Sequence, residues 1–304
     1  MNIIIFGAGA IGSLFGALLA EKNTVIMVGR PPHITCIKQK GLTIIGKTSL
    51  TVKIPAVEST TELSVPPDLI LFTVKSYDTE AASSQVGTIL HNQTLVVSLQ
   101  NGLDNIEKME RNIEKKQILA GVTTHGAFFS KPGVITHTGM GTTILGELDG
   151  RPSTRIKKLT DVFNKSGIET KISNDITKEI WRKAIINSSI NPLTAFLGCK
   201  NGYLLQNPLV EKIVECVCTE SSMIAHGNGL QVSPREMIIR TKEVIQQTAQ
   251  NSSSMLQSIQ QKKKTEIDSI NGILVRVGGE KNIDTPLNRM LIELVTSCSL
   301  PQKE

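Results

Sequence analysis

A short run of strand formers, Asn2–Phe6, gives way at once to Gly7-Ala8-Gly9-Ala10-Ile11-Gly12 and then to an apolar helical stretch over residues 11–20. Three glycines at this spacing, between a strand and a helix, leave the chain few options. Gly7 allows a tight reversal, Gly9 lets a ligand approach the backbone, and Gly12 lets helix pack on strand. The free N–H groups and the dipole at the start of that helix favour an anion such as a pyrophosphate. The turn therefore predicts an open α/β sheet that holds a dinucleotide.

The rest of the first half fits that expectation. Strand-like runs at Thr24–Val28, 68–73, 94–99 and 118–122 alternate with helical segments, as in a mostly parallel sheet covered by helices. Residues 133–138 and 142–146, separated by Gly139-Met140-Gly141, read as a hairpin added to that sheet. A helix over 155–165 and a last strand over 169–172 complete it. Beyond Ser173 the pattern becomes helical, at 177–190, 208–226, 234–250, 266–277 and 286–298. The fold class expected is α/β: a Rossmann-type parallel-sheet domain over residues 1–173, followed by an all-α domain over 174–304. Cap formers at Ser173-Asn174-Asp175 mark the boundary.

Composition narrows the function classes. Of the 304 residues 39% are hydrophobic and 20% charged, which suits a soluble globular chain. No apolar run is long enough to span a bilayer. Ile3-Ile4-Ile5 comes directly after Met1-Asn2 with no basic leader, so no secretory signal is expected and the cytoplasm is the default. Cys36, Cys199, Cys216, Cys218 and Cys298 show no paired spacing, which indicates neither a zinc site nor a disulfide framework. The net charge of +6 is scattered, and with 3% aromatics there is no platform for stacking bases. Nucleic acid is not expected as a partner; the positive excess suits small anionic ligands.

The ends of three strands supply candidate binding residues. The second strand ends in Val28-Gly29-Arg30, without the carboxylate that would take a ribose 2′-hydroxyl. Arg30 can instead pair with a 2′-phosphate, favouring NADPH, with NADH as the second candidate. Lys75 and Asn101 follow later strands, where ligands of open sheets bind. A solvated lysine and an ordinary Asn-Gly turn are the plain alternatives.

In the helical half, Lys183, Asn187 and Asn191 recur at every fourth residue and form one polar line on an otherwise apolar helix. A lysine and two asparagines offer donors suited to a small carboxylate or keto acid; a hydrogen-bonded seam is the alternative. Asn251-Ser252-Ser253-Ser254 looks like a helix cap. On one continuous helix Ser254 and Glu266 would lie about 18 Å apart, too far to share a small ligand. Thr265 as N-cap, with Asp268 completing a box, would break that helix and bring Glu266 back.

Taken in order, these motifs resemble the ketopantoate reductase (2-dehydropantoate 2-reductase) family over nearly the whole chain. The carrying pieces are Gly7–Gly12, Val74-Lys75, Gln100-Asn101-Gly102, Thr123-Thr124-His125, Trp181-Arg182-Lys183, Asn187, Asn191-Pro192-Leu193-Thr194-Ala195, Asn201-Gly202, Ser253-Ser254-Met255-Leu256-Gln257 and Thr265–Gly272. The resemblance implies NADPH-dependent reduction of 2-dehydropantoate to (R)-pantoate in pantothenate and coenzyme A biosynthesis. It implies Lys183 as general acid and Glu266 as the second catalytic residue, near the substrate hydroxyl. Asn101 would lie beside nicotinamide and substrate. Asn187, Asn191, Asn201, Asn251 and Ser254 would bind substrate; Gly7, Ala8, Gly9, Ala10, Ile11, Gly12, Arg30 and Lys75 would bind cofactor. No metal is implied, and a homodimer is left open. One departure stands out: where the family often has a glycine before Thr-Glu-Ile-Asp, this chain has Gln260-Gln261-Lys262-Lys263-Lys264. Two alternatives remain: a reductase of another 2-keto acid on the same fold, and a non-catalytic dinucleotide sensor, which would need the glycines but neither Lys183 nor Glu266.

Overall fold

The computed structural model describes residues 1–63 and 65–299. Their internal contacts divide the chain into two units: Met1–Gln100 with Asn105–Glu179, and Asn101–Asp104 with the chain from Ile180 onward.

The first unit runs β1 (Asn2–Phe6), α1 (Ala10–Ala20), β2 (Thr24–Val28), α2 (His33–Lys40), β3 (Leu42–Gly46), β4 (Leu50–Val52), β5 (Ala56–Val57), β6 (Leu69–Phe72), α3 (Thr79–Gly87), β7 (Leu95–Ser98), α4 (Asn105–Met109), β8 (Ile118–Thr123), β9 (Gly126–Lys131), β10 (Val134–Gly139), β11 (Thr143–Glu147), α5 (Thr154–Lys165) and β12 (Thr170–Ile172). Eight strands form one sheet in the order β12-β11-β8-β7-β6-β1-β2-β5. All neighbours are parallel except β11 against β8. From β1 the chain winds outwards through β2 to β5, then returns to lay β6, β7 and β8 on the other side. The direction of winding thus reverses between β1 and β6, the place where doubly wound sheets bind ligands.

The central strands are apolar throughout because both faces are buried. Ile3, Ile5, Leu69, Leu71 and Val97 join one core with Leu14, Phe15 and Leu19 of α1 and Phe163 of α5. Their neighbours in sequence, Ile4, Phe6, Ile70, Phe72 and Val96, join a second core with Ala82, Val86 and Met109. The strand period of two separates the sets.

A second sheet, β4-β3-β10-β9, corrects the expected hairpin. β10 pairs antiparallel with β9 and parallel with β3, while β11 belongs to the main sheet. The turn between β9 and β10 is Pro132-Gly133, with Gly133 at φ 76°. Gly139-Met140-Gly141 instead carries the chain from one sheet to the other. A Cβ on Gly141 would stand 2.4 Å from the His125 nitrogen, so close backbone packing requires that glycine.

The second unit holds α6 (Ile176–Leu197, whose first turn belongs to the first unit), α7 (Tyr203–Gln206), α8 (Pro208–Gly227), α9 (Pro234–Gln247), α10 (Ser254–Gln260), α11 (Ile273–Glu280) and α12 (Pro286–Ser299). Asp175 Oδ1 accepts from Lys178 N at 3.0 Å and caps the start of α6. α10 stops at Gln260; Lys262 takes a left-handed conformation, φ 53°, and helix resumes at Ile267. The break is therefore present, with a lysine in the conformation that glycine favours. The expected Thr265–Asp268 box is replaced by main-chain bonds: Ser269 N and Ile270 N both donate to Glu266 O, and the Ile267 cap carries no side-chain bond. Asp268–Gly272 forms a π-helical turn leading into α11. Among the described residues no helix is long and apolar enough to cross a membrane.

Candidate active site

The glycine turn has the geometry each glycine was expected to supply. Gly7 adopts φ 109°, and its N–H and that of Ala8 both donate to Val28 O, at 3.0 and 3.1 Å. A Cβ on Gly12 would lie 2.2 Å from Gly7 O, so helix and turn touch there. A Cβ on Gly9 would meet nothing within 4 Å. That open backbone, at the N-cap of α1, fits a pyrophosphate approaching the free amides. Thr73, at the end of β6, fastens the turn from below: its Oγ1 donates to Gly7 O at 2.8 Å. Sequence reasoning missed Thr73, and only the pairing of β1 with β6 reveals it.

Arg30 is 80% exposed at its side chain and pairs with Asp78. Asp78 ends a short 3-10 turn, Ser76–Asp78, whose N-cap is Lys75. The two candidate 2′-phosphate residues are therefore linked through one turn. Nothing in the sequence pointed to Asp78, which is far from Arg30 along the chain. Gln100 Nε2 donates to Val74 O at 3.0 Å and to Thr79 Oγ1 at 2.7 Å, tying the end of β7 to this segment.

In the helical unit, α6 carries Lys183, Asn187 and Asn191 on successive turns of one face. Asn191 is buried; Lys183 and Asn187 retain some exposure. Enclosure of the Lys183 ammonium lowers its pKa from 10.5 to about 8, while the nearby Glu266 carboxylate pulls the other way. Glu266 is 6% exposed, at the mouth of the π turn. Asn201 N donates to Asn251 O at 3.0 Å, and Asn201 Nδ2 donates to Thr248 Oγ1 at 2.9 Å, so these two asparagines share one corner. Ser253 caps α10: its Oγ accepts from Leu256 N at 3.1 Å and from Thr194 Oγ1 at 2.7 Å. Ser254 is the next residue, the first of α10. Asn101 belongs to this unit through its segment 101–104. Lys183, Glu266, Asn101 and the other expected substrate residues thus all fall in the helical unit. The glycines, Arg30 and Lys75 fall in the sheet unit.

Two family models match the chain. Residues 3–150 match "Ketopantoate reductase PanE/ApbA" and residues 175–298 match its C-terminal counterpart. The chain belongs to the ketopantoate reductase family. A 2-dehydropantoate 2-reductase of Pyrococcus abyssi is 41% identical over 97% of both chains. Among solved structures, a D-mandelate dehydrogenase with NADH and anilino(oxo)acetate superposes with TM-score 0.93 at 28% identity, covering 98% of each chain. A PanE/ApbA family ketopantoate reductase from Ralstonia eutropha JMP134 superposes with TM-score 0.90 at 29% identity, also over 98% of each. These three proteins match the chain over nearly its full length, both of its units included.

Proposed function

We propose that this chain reduces 2-dehydropantoate at C2 to (R)-pantoate, with NADPH as the preferred reductant. The observation that carries the reading is Lys183, a lysine whose pKa burial lowers to about 8 with the buried Glu266 acting on it, in a chain of this family. The glycine turn, Arg30 and Lys75 have the chemistry to hold a dinucleotide and its 2′-phosphate. Bound there, the reduced nicotinamide would supply the hydride that becomes the new C2–H bond. As the carbonyl π electrons move onto oxygen, Lys183 Nζ faces the developing charge and gives up its proton to form the hydroxyl. Asn101, Asn187, Asn191, Asn201, Asn251 and Ser254 would bind the carboxylate and hydroxyl groups, and Glu266 would accept from the substrate hydroxyl. Holding the substrate this way removes much of the entropy cost of reaction.

The deciding experiment follows NADPH oxidation with 2-dehydropantoate and with a panel of other 2-keto acids. Preference for 2-dehydropantoate is expected. A second reading, reduction of a different 2-keto acid, draws on the likeness to a D-mandelate dehydrogenase; preference for a 2-aryl keto acid would select it. Absence of turnover with every keto acid would leave the dinucleotide sensor. A cytoplasmic location belongs to the same proposal, supported by five cysteines that are all free. So does a homodimer, compatible with the family resemblance; a mass in solution of one chain would reject it.

A further inference from the structure

Two helical ladders in the second unit are irregular, and one side chain joins them. Pro192 lies inside α6. It has no N–H to give to the carbonyl four residues back, Ser188 O, and its ring crowds that carbonyl. Ser188 is fully buried, where an unpartnered carbonyl is costly. The donor comes from the π turn: Asn271 Nδ2 donates to Ser188 O at 3.2 Å and to Asn288 Oδ1 at 2.9 Å. Asn288 Nδ2 donates onward to Glu220 Oε1 at 2.7 Å and Ser221 Oγ at 3.3 Å. Ser221 Oγ bonds Ser188 Oγ at 3.0 Å, which closes a ring of four fully buried residues.

The placement of this ring gives it a meaning beyond packing. Ser188 follows Lys183 on α6 by little more than one turn, and Asn271 follows Glu266 by the same interval. On its other side the π turn holds the Asn101 segment, because Leu103 N donates to Ser269 O at 3.1 Å and Leu103 packs against the core around Trp181 and Ile185. Three candidate groups are thus referred to one turn. An ordinary residue at position 192 would satisfy Ser188 O through the helix itself and leave no need for a buried amide.

We propose that Asn271 is a positioning residue: by filling the carbonyl that Pro192 leaves open, it fixes the Lys183 helix against the Glu266 turn. The inference rests on the roles given above to Lys183 and Glu266.

The test compares Asn271→Ala, Pro192→Ala and the double variant. Asn271→Ala should lower kcat at least tenfold with the NADPH dissociation constant unchanged. It should also displace the titration of Lys183, read by the pH dependence of its acetylation, by about half a pH unit or more. The double variant returns a main-chain donor to Ser188 O. It should recover most of the lost Tm while turnover and titration stay displaced. If turnover returns together with Tm, Asn271 only fills a carbonyl and the proposal fails. It fails equally if Asn271→Ala keeps kcat within twofold and leaves the titration in place. The acetylation readout needs no substrate, so a wild-type chain that reduces no 2-keto acid would defeat the functional reading without deciding this one.

Discussion

Burial and Glu266 pull the Lys183 ammonium in opposite directions, and burial prevails, leaving its pKa at about 8. A general acid works only while protonated. In the free enzyme, kcat/KM for keto-acid reduction should therefore be level below about pH 8 and fall above it. Glu266→Gln removes the attraction that supports the charge, so the falling limb should move to lower pH. A limb that stays in place in this variant would show that the two groups do not act on each other.

Lys183 also makes a stability prediction of definite sign. Its folded pKa lies below its unfolded value of 10.5, so the unfolded chain binds more protons between about 8 and 10.5. Folding is penalised fully below about pH 8, and the penalty fades as pH rises through that window. Lys183→Met should lower kcat by roughly 10²–10⁴-fold, the range for loss of a general acid. Its Tm at neutral pH should be unchanged or higher. A large loss of Tm would mean that the ammonium is structural.

Arg30 and Asp78 set a second expectation. Their ion pair occupies a guanidinium that is otherwise exposed, the group proposed to meet a 2′-phosphate. Arg30→Ala should weaken NADPH by roughly ten- to a hundredfold, the worth of a charge-assisted hydrogen bond, and leave NADH nearly unaffected. Asp78→Asn releases the fork and should tighten NADPH relative to NADH. Measuring KM for both cofactors decides it; parallel changes in the two would place Arg30 outside the phosphate site.

How much of this was legible beforehand follows from the range of each interaction. The glycine turn is local, and strand, turn and helix all lie within twenty residues, so its geometry could be read directly. The polar line on α6 was legible for the same reason, since a helix fixes which residues share a face. Strand pairing is not local. Gly139-Met140-Gly141 has the composition of a hairpin turn, yet β10 and β11 part into separate sheets because β9 already occupies the edge of β10. Thr73, Asp78 and the Pro192–Asn271 complementarity depend on contacts across tens of residues, and no periodicity announces them.

The sheet unit should be acid-labile through its histidines. Gly133 N donates to His33 Nδ1 at 2.9 Å, so that nitrogen must be bare and the proton must sit on Nε2, which meets Ser13 Oγ at 3.0 Å. Protonating Nδ1 would break the Gly133 bond. His125 Nδ1 and His137 Nε2 share one contact at 3.1 Å, which two imidazolium ions could not keep. Burial lowers His33 and His125 from 6.5 to about 4, with His137 adding to the shift at His125. The unfolded chain therefore binds more protons between about pH 6.5 and 4. The stability these groups contribute is complete above 6.5 and is lost as pH falls through that window. Tm should drop across it, and His125→Phe should flatten the drop. An equal slope in the variant would assign the acid sensitivity elsewhere.

Lys262 gives a prediction about the break that presents Glu266. It sits at φ 53°, exposed, between the end of α10 and the resumption of helix at Ile267. A left-handed conformation costs a residue with a Cβ roughly 1–2 kcal/mol, whereas glycine adopts it freely but loses more entropy on folding. Lys262→Gly should therefore stabilise the helical unit by about 1 kcal/mol, or about 2–4 °C in Tm for a unit of this size. Because the native conformation already contains the break, kcat should change by less than twofold. Lys262→Val, branched at Cβ, should do the reverse by disfavouring the turn. If glycine instead lowers Tm, the lysine side chain contributes more than its backbone costs. If it raises Tm but lowers kcat, then the strained lysine holds Glu266 in place rather than merely tolerating the turn.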